Sequence, residues 1–337
     1  MRAGDFERAW AISDRDLAML AYPPKHTGPR HLQRIWRGEE LTGKDVLVRC
    51  YHGLGDTIQF LRFMRPLRDV ARRVTVWCQG ELLPLVERTA GVDRAFALHD
   101  GTPEVDFEAD VEIMEVPHAI RAGREHVEMR APYVSLPPAV APALAQVRGL
   151  ELRGLEIPGL EVPGLEVPGL EVPGLGLRRL AVGLVWEVGN WDKRRTIPPS
   201  LLGQLDVPGV TLCSLQRGAR ARELAEIGAR DVSTPDITVL GHLLQRLDLL
   251  ICVDTMVAHL AGALGCDAWV LLHADCDWRW PSSESHSLWY PSLRLFHQRT
   301  PDNWDDVIGE ARQALIARSA IRQGVVRNGL KRAQGPP

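Results

Sequence analysis

The sequence predicts an α/β protein of two Rossmann-like domains, each built on a parallel sheet, with a cleft between them. Three observations carry this reading. Apolar β runs alternate with helical segments from Lys44 to Met114, the same alternation resumes from Leu180 to Gln298, and a proline- and glycine-rich repeat separates the halves. With 337 residues, the chain is long enough for two domains that each bury a core.

Taken in order, residues 1–40 form a helical lead-in, with Phe6, Ala9 and Trp10 at helical spacing and Pro23-Pro24 closing it. The first domain spans 41–138. Strands are expected at Val46–Cys50, Val74–Cys78, Ala95–Leu98 and Val111–Met114, and helices at Thr57–Leu67 and Glu81–Arg88. A linker over 139–178 follows, reading LELRG, LEIPG and three copies of LEVPG from Leu150. Pro-Gly at every fifth residue forbids a continuous helix and suits type II turns. The second domain spans 179–300, with strands at Leu180–Trp186, Val210–Leu215, Leu249–Asp254, Ala268–His273 and Leu293–Gln298. Its helices are expected at Pro199–Leu205, Ala219–Ile227, Ile237–Leu247 and Thr255–Leu264. Residues 301–337 give a last helix, Trp304–Ile321, and a polar tail.

Composition narrows the function classes. Hydrophobic residues make up 45% and charged residues 25%, and the net charge of −3 argues against nucleic acid as a partner. No apolar run is long enough to span a bilayer, and Met1–Trp10 lacks a signal-peptide core, so a cytoplasmic protein without an integral membrane segment is expected. The six cysteines show no Cys-x-x-Cys spacing and read as reduced thiols, with no metal site.

Three stretches can carry chemistry. Gly53-Leu54-Gly55-Asp56-Thr57 follows a strand and opens a helix. Gly53 and Gly55 allow a sharp turn and close approach to a ligand, and the helix N-terminus favours negative charge. The stretch lacks the third glycine of a dinucleotide fingerprint and the Gly-Lys-Ser/Thr of a phosphate loop. Asp56 reads either as a helix cap or as a general base on the cleft rim. In the second stretch a buried strand runs into a helix at Asp254-Thr255. Val257, Leu260, Ala261 and Leu264 form its core stripe, which leaves Thr255 and His259 on another face. Thr255 and the helix N-terminus suit a diphosphate, with His259 as a further donor or as a packed structural histidine. The third, Trp186 to Pro198, sets Lys193, Arg194 and Arg195 after a strand, either to neutralise a leaving diphosphate or as a solvated basic loop.

Together these blocks resemble the heptosyltransferase-like glycosyltransferases (glycosyltransferase family 9), above all the branch found with tetratricopeptide repeats. The matching text is LTGKDVLVRCYHGLGDTIQFLRF within 38–63, AVGLVWEVGNWDKRRTIP at 181–198, LDLLICVDTMVAHLAGALG at 247–265 and DWRWPSSESHSLWYPSLRLFHQ at 277–298. Gly4 to Trp10 looks like the end of a tetratricopeptide helix. The resemblance implies a GT-B fold and an inverting, metal-independent transfer from a nucleotide-diphospho-sugar, a co-substrate, with no cofactor. It places Asp56 at the catalytic base, Arg195 or Arg194 at the diphosphate, and Asp254, Thr255 and His259 on the donor-binding motif, where Asn190 and Gln216 join them. The implied acceptor is a glycan, a lipid-linked sugar or a protein, and domain closure about the linker would exclude water.

Departures from the family pattern are Tyr51-His52 before the glycine turn, where relatives have small residues, and Glu187-Val188-Gly189, where relatives read Trp-Ala-Gly-Asn. Trp280 could stack on a base or pack between domains. The competing reading is a catalytically silent GT-B scaffold. A nucleotide-sugar epimerase or hydrolase lacks a second convincing acid–base pair.

Overall fold

The structure is a computed structural model that describes residues 4–19, 23–128, 131–138, 179–189, 192–282 and 284–333, the last eleven as backbone alone. The predicted 139–178 linker lies outside the described residues, as does Asn190.

The lead-in is helix α1 (Phe6–Met19), tied to the first domain by Phe6 and Trp10. The Trp10 indole N–H donates to the Ala122 carbonyl at 2.8 Å, and its ring stacks on His118. The first sheet has strands β1 (Asp45–Arg49), β2 (Arg73–Cys78), β3 (Arg94–Ala97) and β4 (Ala109–Glu112), all parallel in the order β3-β2-β1-β4. Helices α2 (Leu54–Phe60) and α3 (Met64–Val70) connect β1 to β2, joined by a 3-10 turn over Leu61–Phe63. Short helices α4 (Leu83–Val86), α5 (Val116–Ala119) and α6 (Arg124–Val127) complete this half.

The second sheet has β5 (Leu180–Val185), β6 (Val210–Ser214), β7 (Arg230–Asp231), β8 (Leu249–Val253), β9 (Ala268–Leu272) and β10 (Leu293–His297). Its order, β10-β9-β8-β5-β6-β7, is the full doubly wound Rossmann order with the switch point between β5 and β8. In the first sheet the reversal falls between β1 and β4. Helices α7 (Pro199–Leu202), α8 (Ala221–Ile227), α9 (Ile237–Arg246), α10 (Met256–Leu264) and α11 (Asp305–Ala333) flank the second sheet.

Strand alternation splits the second sheet's apolar residues into two cores. Leu180, Val182, Leu184, Ile251, Val253 and Leu271 pack with Leu202, Leu205, Ile308 and Leu315. Ala181, Cys213, Leu250, Cys252, Val270 and Leu272 belong instead to a core continuous with the first domain, through Leu260 and Ala263 to Ile58, Phe60, Val46 and Val76.

Some boundaries differ from expectation, each for a local reason. Helix α2 begins at Leu54, because the Gly53 N–H is met by the Asp56 carboxylate at 3.0 Å. The predicted helix Glu81–Arg88 divides into a 3-10 turn and α4 around Pro84. Strand β4 ends at Glu112, whose carboxylate caps the next turn by accepting the Met114 N–H at 2.8 Å. Helix α11 runs to Ala333, past the expected Ile321, since no proline interrupts the chain between Asp305 and Pro336.

Candidate active site

The carboxyl ends of the two sheets meet, so the loops after β1 and β8 face each other, where ligands of open α/β sheets sit. On the first domain, Gly53 is the N-cap of α2 and Asp56 its third residue. Asp56 Oδ2 accepts the Gly53 N–H, while Oδ1 is ion-paired with Arg279 of the second domain. Arg279 is buried and fully engaged: Nε donates to Gln59 Oε1 at 2.6 Å, Nη1 to Asp277 Oδ1 at 2.9 Å, and its plane lies over the Trp278 ring. Both readings of Asp56 are thus compatible with its position, since it caps the turn and also faces the other domain.

Gly55 is required by a helix contact. A Cβ there would fall 2.8 Å from His259 Cδ2 and 3.4 Å from Met256 Cα, so the absent side chain lets α2 and the start of α10 touch. His259 is buried in the same contact, its Nδ1 2.9 Å from the Tyr290 hydroxyl and its ring stacked on Trp280. Burial, with Arg279, Arg62 and Arg195 nearby, holds the imidazole neutral, its pKa well below the usual value. This is the packed-histidine alternative in geometry. Trp280 is likewise wholly buried, which fits packing between domains and not stacking on a base.

On the second domain, Asp254 follows β8 and is buried, with Oδ2 3.1 Å from Arg195 Nη1. Burial raises its carboxyl above the ordinary value, opposed by Arg195, by the Trp280 indole and by Arg279. That indole nitrogen nonetheless makes no well-formed hydrogen bond. Thr255 caps α10, its hydroxyl accepting the Val257 N–H at 3.2 Å. Arg194 turns back on Asp192 with two bonds of 2.9 Å and reaches Asp275 at 3.1 Å, which holds Asp192 down to about 2. Gln216 holds the loop after β5, its Oε1 accepting the N–H groups of Trp186 and Glu187 at 3.2 and 2.9 Å.

Sequence reasoning named Arg195 but missed its neighbours Thr196, His273 and Gln298. Arg195 Nε, Thr196 Oγ1, His273 Nε2 and Gln298 Nε2 are buried at the carboxyl end of the second sheet without hydrogen-bond partners among the described residues. Arg195 Nε and His273 Nε2 lie 3.7 and 3.8 Å from Asp192 Oδ2, beyond hydrogen-bond reach. The signal for His273 and Gln298 was their place just past the apolar runs of β9 and β10, at one sheet end with Asp254. Arg279 stood in a stretch already singled out, but nothing local names Asp56 as its partner.

No family model matches the chain. Protein FlbA of Caulobacter vibrioides is 25% identical over 308 residues, covering 83% of this chain and 48% of that protein. The chain therefore spans about half the length of the curated relative it matches. Among solved structures, the ADP-heptose lps heptosyltransferase II of E. coli superposes with a TM-score of 0.51 at 12% identity, over 81% of this chain and 99% of that one. In fold, this chain is heptosyltransferase-like. A glycosyl transferase of family 9 from Veillonella parvula aligns at 14% identity over 82% of this chain and 91% of its own, with a TM-score of 0.46.

Proposed function

We propose that the chain transfers a sugar from a nucleotide-diphospho-sugar to a hydroxyl acceptor, with inversion and without a metal ion. The carrying observation is the row of unsatisfied buried polar atoms, Arg195 Nε, Thr196 Oγ1, His273 Nε2 and Gln298 Nε2, at the sheet end that also holds the start of α10. Leaving such an atom unpaired costs about 1–3 kcal/mol. A diphosphate and its nucleoside would satisfy several of them at once.

Inversion needs a proton acceptor on one side of the anomeric carbon and a charge acceptor on the other. Arg195, Thr255 and the N-terminus of α10 supply the second, and cationic and backbone donors take the place of a metal ion there. The first domain supplies the acceptor side. Asp56 is the base the family pattern assigns, and it serves once Arg279 releases it. The E. coli neighbour, named for ADP-heptose, makes a heptose donor the first to try; the acceptor would be a glycan, a lipid-linked sugar or a protein. No described helix is long and apolar enough to cross a membrane.

A silent scaffold is the second reading, and one observation favours it: both oxygens of Asp56 are already occupied. Thermal shift with ADP-, GDP-, UDP- and dTDP-sugars, on wild type and Thr255→Ala, separates the two. A nucleotide-specific rise that Thr255→Ala loses supports transfer, and Asp56→Asn then tests turnover. A folded sample that responds to none of them supports the scaffold.

A further inference from the structure

Arg279 is paired with the base that sugar transfer needs, yet its surroundings suit an anion with several oxygens better than one carboxylate. Only Nη2 is given to Asp56. Nε and Nη1 are anchored separately, on Gln59 Oε1 at 2.6 Å and Asp277 Oδ1 at 2.9 Å. Asp277 Oδ1 also accepts the Arg279 backbone N–H at 3.0 Å, so the guanidinium keeps its place if Asp56 leaves. Two N–H donors beside it make no well-formed hydrogen bond among the described residues. One is Nε2 of Gln59, whose side chain is wholly buried, and the other is the indole nitrogen of Trp280. Both groups can only donate, so a partner for them must carry acceptor atoms. Arg279 also acts on the donor half of the cleft. At Asp254 burial raises the carboxyl and the guanidinium opposes it; at His259 burial and the guanidinium together keep the ring neutral. The cation therefore stands between Asp56 of the first domain and the start of α10 in the second.

We infer that Arg279 is a donor-binding residue that works as a latch: the donor's diphosphate takes Nη2 from Asp56, so the base becomes available only once a donor is bound. The inference rests on the sugar-transfer reading. A diphosphate offers Nη2, Gln59 Nε2 and Trp280 Nε1 acceptor oxygens at the same time, with more negative charge than one carboxylate carries. The released Asp56 keeps the Gly53 N–H on Oδ2 at 3.0 Å and presents Oδ1 to the acceptor. The acceptor hydroxyl then gives its proton to Asp56 as its oxygen bonds to the anomeric carbon. The bond from that carbon to the diphosphate breaks, its electron pair leaves on the diphosphate oxygen, and Arg279 takes up part of the added charge. The order of events follows: donor first, acceptor second. Before the donor arrives, an acceptor meets a carboxylate that a guanidinium already holds. Asp56 and the diphosphate compete for one group, so each weakens the other's hold on it.

The test is calorimetric titration of the full chain with ADP, GDP, UDP and dTDP. Asp56→Asn should bind the preferred nucleotide about tenfold more tightly than wild type, and Arg279→Ala about tenfold more weakly. Both variants lose the same ion pair, so a pair that served only to hold the domains together would move affinity in one direction for both. Adding Asp56→Asn to Arg279→Ala should lose most of the gain, which separates the latch from mere removal of a negative charge near the ligand. Should Arg279→Ala fail to fold, Arg279→Lys replaces it in both comparisons and should change affinity with the same sign. Affinity that Asp56→Asn leaves unchanged or lowers, or raises equally without Arg279, overturns the latch and leaves sugar transfer standing. Failure of wild type and Asp56→Asn alike to bind any of these nucleotides sinks the sugar-transfer reading, and the latch with it.

Discussion

Asp56 and Arg279 lie 223 residues apart in sequence and form an ion pair across the two domains, with Gln59 and Asp277 completing the guanidinium's partners. Replacing Arg279 by Ala strands the Gln59 and Asp277 acceptors and frees one oxygen of Asp56. Because Asp56 is partly exposed, the loss should be about 1–3 kcal/mol, less than for a fully buried pair. Urea unfolding checks the magnitude. Arg279→Lys, which keeps charge but not the three-way geometry, should recover only part of it.

Gly55→Ala should destabilise by about 1–3 kcal/mol although alanine is the better helix former, because the new methyl meets His259 at 2.8 Å. Combining it with His259→Ala should cost less than the sum of the two single changes. Strict additivity in a double-mutant cycle would place the strain elsewhere.

The contact between Gly55 and His259 also shows where the sequence was legible. Strands β1, β2, β5, β6, β8, β9 and β10 read directly, because buried parallel strands are continuous apolar runs such as Leu249–Val253. Strand β7 did not: it is two residues, Arg230 and Asp231, both exposed at the sheet edge. Asp56, Arg195, Asp254 and Thr255 could be gathered at one place because they follow strand ends. Their present partners could not be named. Asp56 with Arg279 and His259 with Tyr290 depend on how two domains dock, which no local pattern encodes.

His259 should make stability depend on acidity. An unfolded histidine titrates near 6.5, whereas burial keeps this one neutral far below that. Below pH 6.5 the unfolded chain binds a proton that the folded one does not, so stability is full above that value and declines beneath it, by about 1.4 kcal/mol per pH unit from this group. His118 and His273, also lowered by burial, add in the same direction. Urea midpoints of wild type and His259→Asn between pH 7 and pH 5 should show a shallower decline in the variant.

Gln216→Ala removes the acceptor for the Trp186 and Glu187 N–H groups and should cost about 1–2 kcal/mol. If the loop after β5 presents Arg195 to a donor diphosphate, the same change should weaken nucleotide-sugar affinity, measured by calorimetric titration. Glu187→Ala, which removes an exposed ion pair with Lys193, should leave affinity unchanged.

The core that runs from Val46 and Ile58 through Leu260 to Val270 has a consequence for how the chain melts. Neither sheet owns all the residues that keep its inner face dry, so neither half is a self-sufficient folding unit. Heating should give one calorimetric transition whose measured enthalpy equals its van't Hoff value, and not two resolved peaks. Expressed alone, residues 179–337 would present Leu260 and Ala263 to water and should aggregate, while the same segment co-expressed with residues 1–138 should be recovered as a complex.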